Sequence, residues 1–203
     1  MDIYINSEKV DFTLENEKTI ADILNAFEHE CEKNDAAITA VNVDGEALCA
    51  ENTEAVYKRS LETVKKIELE TVCAPDIIYS LKELAVKLET LSGELEHISL
   101  FFQSGKDAKV SAVLTSFADL FDVLCRLISL CALFPAYFDR FKIDNRMPLE
   151  FLKDFSPILA EFEQSLADTD TVLTGDLAEY EIVPRLRSII SAVGELEASL
   201  CRS

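Results

Sequence analysis

Two short patterns in the chain have the residue types for metal or acid–base chemistry. Glu94-Leu95-Glu96-His97 contains Glu-x-x-His, a spacing that projects a carboxylate and an imidazole together from one helix. Carboxylate-bridged di-iron sites use it, but they need the motif twice and two more glutamates. The chain has two histidines. The other, His29, lies in Glu28-His29-Glu30-Cys31, where alternate residues of a helix point apart and cannot grip one ion. Residues 94 and 97 also flank an apolar seam instead of lying in it. We therefore expect no metal and no cofactor. No Gly-x-Ser-x-Gly and no Cys/His pairing is present, and five glycines make no phosphate-cradling loop. We expect a protein that is not an enzyme.

A third pattern is Thr174-Gly175-Asp176-Leu177-Ala178-Glu179-Tyr180-Glu181. Its acids and hydroxyls suit the positive start of a helix. Glu179, Tyr180 and Glu181 are also candidates for contact with a protein partner.

Charge narrows the partner. The chain of 203 residues carries 38 acidic and 19 basic residues, a formal charge of −19. Nucleic acid and anionic membrane surfaces both require clustered Lys and Arg, so neither is expected. Six cysteines are scattered without Cys-x-x-Cys spacing. They read as reduced core residues of a cytoplasmic, bacterial-type protein. The start, MDIYINSEKVDF, does not read as a signal peptide. The longest apolar run falls short of the ~20 residues that span a membrane.

The elements that must position any site fall in two halves. Ile3 and Ile5, then Val10, Phe12 and Leu14, alternate like a β-hairpin. Thr19 as N-cap with Asp22 three residues on predicts a helix to about Lys33. Thr39, Val41 and Val43 alternate, and Asp44-Gly45 turns into Ala47-Leu48. A polar, irregular link follows, anchored by Val56, Tyr57 and Leu61. Ile67, Leu69 and Thr71 form the last strand. This order, with the stretches VNVDGEAL and VKKIELETV, resembles the ubiquitin-like β-grasp fold over about residues 1–72. Modifiers and sulfur carriers of that fold end in a free Gly-Gly tail. Here Thr71-Val72-Cys73 runs into a helix, so the resemblance implies a compact binding module instead.

From Pro75 the period changes. Ile77, Leu81, Leu84, Leu88, Leu91, Leu95, Ile98 and Phe102 step by 4 and 3 in a heptad seam. The seam is either buried in a bundle or shared with a second copy, a homodimer through the Ile77–Phe102 helix. Val110 to Phe138 contains three charged residues, and reads as a helix apolar all round, central to the rest. Pro135 kinks or ends it. A third helix starts after Asp144-Asn145-Arg146-Met147-Pro148, with Pro157 a possible break. A loop over Thr171 to Gly175 leads to a fourth helix near Asp176. Short links imply antiparallel neighbours. The expected fold class is α+β, with a β-grasp domain at 1–73 and an antiparallel up-down four-helix bundle at 74–203.

Ten of the twelve phenylalanines lie between residues 101 and 162. In an alternating bundle Phe134, Phe138, Phe141 and Phe151 share the end where the first helix starts. They are candidates for an inter-domain contact or a partner groove. The expected function is a non-catalytic protein–protein interaction adaptor or scaffold. The alternatives are a secretion or flagellar-type export chaperone, and a small-ligand binder or enzyme with a pocket between the domains.

Overall fold

The structure, a computed structural model, describes residues 1–13 and 17–200. Leu14, read above as strand, and Cys201 lie outside the described residues. The chain is α+β, a five-stranded mixed sheet followed by helices. It divides into two compact units, Met1–Asp76 and Ile77–Ser203.

In the first unit β1 (Asp2–Ile5) and β2 (Glu8–Val10) pair antiparallel, Ile3 opposite Val10. Asn6 and Ser7 turn between them with φ of 50° and 71°, the left-handed pair that matches strand twist in a two-residue hairpin. α1 (Ile20–Lys33) opens on the expected capping box. Thr19 Oγ1 accepts from the Asp22 N–H at 3.3 Å, and the Asp22 carboxylate accepts from the Thr19 N–H at 2.9 Å. β3 (Ala36–Val43) turns through Asp44-Gly45 into β4 (Glu46–Ala47). The link expected to be irregular holds a short helix, α2 (Thr53–Tyr57), and a 3-10 turn at Leu61–Thr63. Val56 and Leu61 are its buried anchors and Tyr57 is half-buried. β5 (Lys66–Cys73) lies at the centre of the order β2-β1-β5-β3-β4, parallel to β1 and antiparallel to β3. Ile67 and Leu69 point into the core with Ile3, Ile20, Ile23 and Leu24, and Glu68 and Glu70 point away.

In the second unit α3 (Ala74–Leu95) buries Ile77, Leu81, Leu84, Leu88, Leu91 and Leu95 within a single chain. The seam does not continue as one helix over Ile77–Phe102. α3 ends after Gly93, a poor helix former, and the His97 ring Nδ1 meets the Gly93 carbonyl oxygen at 2.9 Å. α4 (Ile98–Gln103) carries Ile98 inward, and Phe102 is only half-buried.

α5 (Asp107–Cys131) corrects a second expectation. It is not enclosed on all sides. Val113, Phe117, Leu124, Leu127 and Ile128 are buried, but Ala112, Ala118, Asp122, Val123 and Arg126 form a wet face. Small and apolar residues on that face made the stretch look central. α6 (Pro135–Phe138) is a separate turn, since Pro135 supplies no N–H to extend α5.

α7 (Pro148–Ala167) runs unbroken through Pro157, whose ring is exposed. The predicted loop at Thr171 to Gly175 is instead α8 (Thr171–Asp176), capped by the Asp170 carboxylate, which accepts from the Leu173 N–H at 3.0 Å. A π-helical turn, Leu177–Ile182, leads into α9 (Val183–Leu200). Pro184 explains the wide turn: it lacks a donor and its ring crowds the carbonyl four residues back. The Arg185 guanidinium donates to the Glu181 carbonyl oxygen at 2.8 Å, providing a donor where the ladder is irregular. Ion pairs Lys82–Glu197 and Lys109–Glu94 tie helix to helix, and Arg187 of α9 pairs with Glu96 in the turn after α3.

Candidate functional site

The segment from Asp139 to Met147 joins α6 to α7 and shapes one corner of the helical unit. Asp139 and Arg140 complete the turn after α6, and from there side chains alternate between core and solvent. Phe141 and Ile143 are buried, while Arg140 and Lys142 face water. Asp144 and Asn145 then reverse the chain with φ of 51° and 62°. Ile143 and Arg146 exchange both backbone hydrogen bonds at 3.0 Å, a two-residue turn that only residues tolerant of the left-handed region build cheaply. Pro148 starts α7 at the one place where a missing N–H costs nothing.

Two concavities flank this segment. On one side is an apolar notch of about 130 Å³. Phe138 and Phe141 form its floor, Cys131 and Pro135 a wall, and Met147 and Leu149 its rim. Met147 is 43% and Leu149 54% exposed. On the other side lies a polar cleft of about 630 Å³ between the segment and α9. Arg140, Lys142, Asp144 and Glu195 line it together with Ser188 and Ser191.

The four candidate phenylalanines are all buried in this unit. Phe134 and Phe151 belong to the core, Phe151 packing edge-on to Phe155 at 6.2 Å. Phe138 and Phe141, 6.5 Å apart, reach the notch only as its floor. The rings themselves are therefore not an open groove, because burying an aromatic face removes more apolar area than any other choice. The sequence reading missed the rim, Met147 and Leu149, and the exposed cations Arg140 and Lys142. The signal was present in the alternation Arg140-Phe141-Lys142-Ile143 ahead of the turn pair Asp144-Asn145.

Glu179, Tyr180 and Glu181 sit in the π-helical turn. Tyr180 is 64% exposed, and its hydrogen bond to Glu179 raises its pKa above the ordinary tyrosine value. Glu181 is held by Arg185 at 2.7 Å. These three residues are not part of the corner's lining. Thr174 is buried and donates to the Asp170 carbonyl oxygen at 2.7 Å, with the Ser165 hydroxyl 2.9 Å away, so it serves packing and not the helix start. Glu94 is engaged by Lys109, and His97 closes α3 against Gly93. Their positions are accounted for by structure. No cluster of three or more metal-ligating side chains is found among the described residues.

Residues 1–73 match the family model described as TP0873 N-terminal domain. Residues 79–192 match the model described as Domain of unknown function (DUF8042). The chain is similar to an uncharacterized protein of Treponema pallidum (strain Nichols), with 29% identity over 194 residues that cover 95% of this chain and 96% of that protein. No solved structure matches the chain. No helix among the described residues is long and apolar enough to cross a membrane. With residues 79–192, more than half of its length, matched by that model, the chain belongs to the DUF8042 family.

Proposed function

We propose that the protein is a non-catalytic cytoplasmic adaptor that engages a protein partner through the helical unit. One observation carries this reading. Of eleven exposed large apolar side chains among the described residues, ten lie at residue 79 or beyond, and two of them, Met147 and Leu149, rim the notch. Apolar side chains grouped about a concavity mark contact sites more often than the same residues scattered singly. A notch of this size admits one side chain, whereas small-molecule pockets run about 300–1,000 Å³. The finer fold reading belongs here too. The order β2-β1-β5-β3-β4 with a parallel central pair supports a ubiquitin-like β-grasp, and four helices of 18 to 25 residues support a four-helix bundle.

A photo-crosslinking residue at Leu149 tests the adaptor reading in the native cell. One discrete adduct at Leu149, with none at the exposed control Glu54, is the expected result. Absence of an adduct at both positions overturns it. The polar cleft favours a second reading, a small polar ligand held between Arg140, Lys142 and Glu195. A stoichiometric mass increment in native mass spectrometry, lost on Arg140→Ala, distinguishes that case.

A further inference from the structure

We propose that α3 pairs with α3 of a second copy of this chain, antiparallel and two-fold symmetric about Val86, through the face turned away from its own core. The inference goes beyond the adaptor reading and does not depend on it.

The seam from Ile77 to Leu95 is buried inside one chain, so a second copy can meet only the opposite side of α3. At about 100° per residue the middle of that side falls on Tyr79, Val86 and Gly93, seven residues apart. The outer face of a solvated helix ordinarily carries charge. The middle of this one carries none, and Tyr79 is 63% and Val86 71% exposed. Val86 stands as a ridge between two shallow grooves. The groove toward α9 is lined by Lys82, Glu89, Ile190 and Glu197, and the one toward α5 by Thr90 and Leu120.

The face identifies its occupant because it complements itself when reversed. A two-fold axis across α3 at Val86 brings Tyr79 of one copy, seven residues before the axis, onto Gly93 of the other, seven after it. The largest side chain of the stripe then meets the one position without a side chain, and an atom added at Gly93 finds nothing within 4 Å. Such an axis also sets each flank against the same flank of the second copy. Lys82 and Glu89 share the α9 flank, four residues before Val86 and three after it. Lys82 of each copy therefore faces Glu89 of the other, offset by one residue or about 1.5 Å along the axis. Glu89 has no ion pair among the described residues, and Lys82, paired with Glu197, has three N–H donors to share. On the α5 flank Glu83 meets Thr90, so no like charges oppose there. A parallel pair instead sets Tyr79 on Tyr79, Lys82 on Lys82 and Glu89 on Glu89, like charge against like. A stripe of period seven drifts about 20° per heptad, which a helix crossing of about 20° follows. Two copies of charge −19 repel at a distance, but salt near 0.15 M screens that beyond about 8 Å and leaves the local pattern to set the register.

Sedimentation velocity on the intact chain, from about 1 to 200 μM protein in about 0.15 M NaCl, tests the pairing. The paired strip is about 21 Å long, too short for a permanent dimer, so a concentration-dependent dimer with micromolar dissociation is expected. Val86→Lys and Gly93→Phe, both at exposed positions, should each weaken it about tenfold or more. K82E alone and E89K alone set like charges face to face and should weaken it severalfold, whereas K82E/E89K exchanges the charges and should restore it to within about threefold of the native chain. Unchanged thermal melts establish that the variants fold. A monomer across the whole range overturns the inference, and one that still forms the Leu149 crosslink leaves the adaptor reading standing. A dimer indifferent to Val86→Lys overturns it in favour of another interface. A dimer that the single charge variants leave intact, or that K82E/E89K fails to restore, overturns the antiparallel pairing.

Discussion

Gly175 in α8 packs its bare backbone directly on Ser99 of α4, so closely that an added methyl group collides with the Ser99 hydroxyl. Turning that hydroxyl aside still leaves the methyl 3.2 Å from Ser99 Cβ. Gly194 in α9 has nothing within 4 Å of the same added atom. Gly194→Ala should therefore gain about 0.5–1 kcal/mol from helix propensity and reduced unfolded-state freedom. Gly175→Ala should lose about 1–3 kcal/mol through overpacking. Urea denaturation of the two variants compares them, and equal effects would remove the close-approach account.

Two buried serines should respond in opposite directions. Ser165 donates to the Phe162 carbonyl oxygen at 2.8 Å and pairs with Thr174. Ser92 is equally buried, yet its hydroxyl has no partner among the described residues. Removing a satisfied hydroxyl costs about 1 kcal/mol, while removing an orphaned one relieves a desolvation penalty of similar size. Ser165→Ala should lower the melting temperature and Ser92→Ala should hold or raise it.

Acid should weaken the sheet unit through Asp22. Backbone N–H donors of Lys18 and Thr19 hold its carboxyl below the ordinary aspartate range. A carboxyl so depressed adds stability that is present above roughly pH 4 and is lost as pH falls through its folded value. Asp22→Asn should flatten the acid limb of a stability–pH curve. Thr19→Ala should cost about 1 kcal/mol at neutral pH. An unchanged acid limb in the Asn variant would show that the capping box contributes nothing to acid sensitivity.

Thiol labelling should follow burial. Cys131 lies in the notch wall, and burial pushes its pKa up to about 12, so it carries almost no thiolate near neutrality. Cys49 is exposed. Mass mapping after maleimide treatment at pH 7.5 should show Cys49 modified in the native protein and Cys131 only after unfolding. Early labelling of Cys131 would mean that the corner opens on the labelling timescale.

What the sequence by itself determined is local. Thr19 and Asp22 write their capping box within four residues, and Asp44-Gly45 writes a turn in two. Ile67 and Leu69, two apart, mark a strand face, and Ile77 to Leu95 mark a helix stripe. These signals are short-range because backbone dihedrals and side-chain periodicity are set within a few residues. Local signals misled where two of them conflicted. The acids and hydroxyls from Thr174 to Glu181 suggested a helix start near Asp176, and the chain instead threads α8 and a π-helical turn ahead of α9. The uncharged run from Leu127 to Phe138 suggested a central helix, yet α5 ends at Cys131. Which face of that run met water depended on neighbours far away in sequence, since Phe117 packs on Phe162 and Phe121 on Phe155. Tertiary structure alone decided that Phe134 and Phe151 are core, that Phe138 and Phe141 end as the floor of a notch, and that Arg140 and Lys142 line the polar cleft beside α9. Burial is a property of the assembled surface, and no residue carries it in isolation.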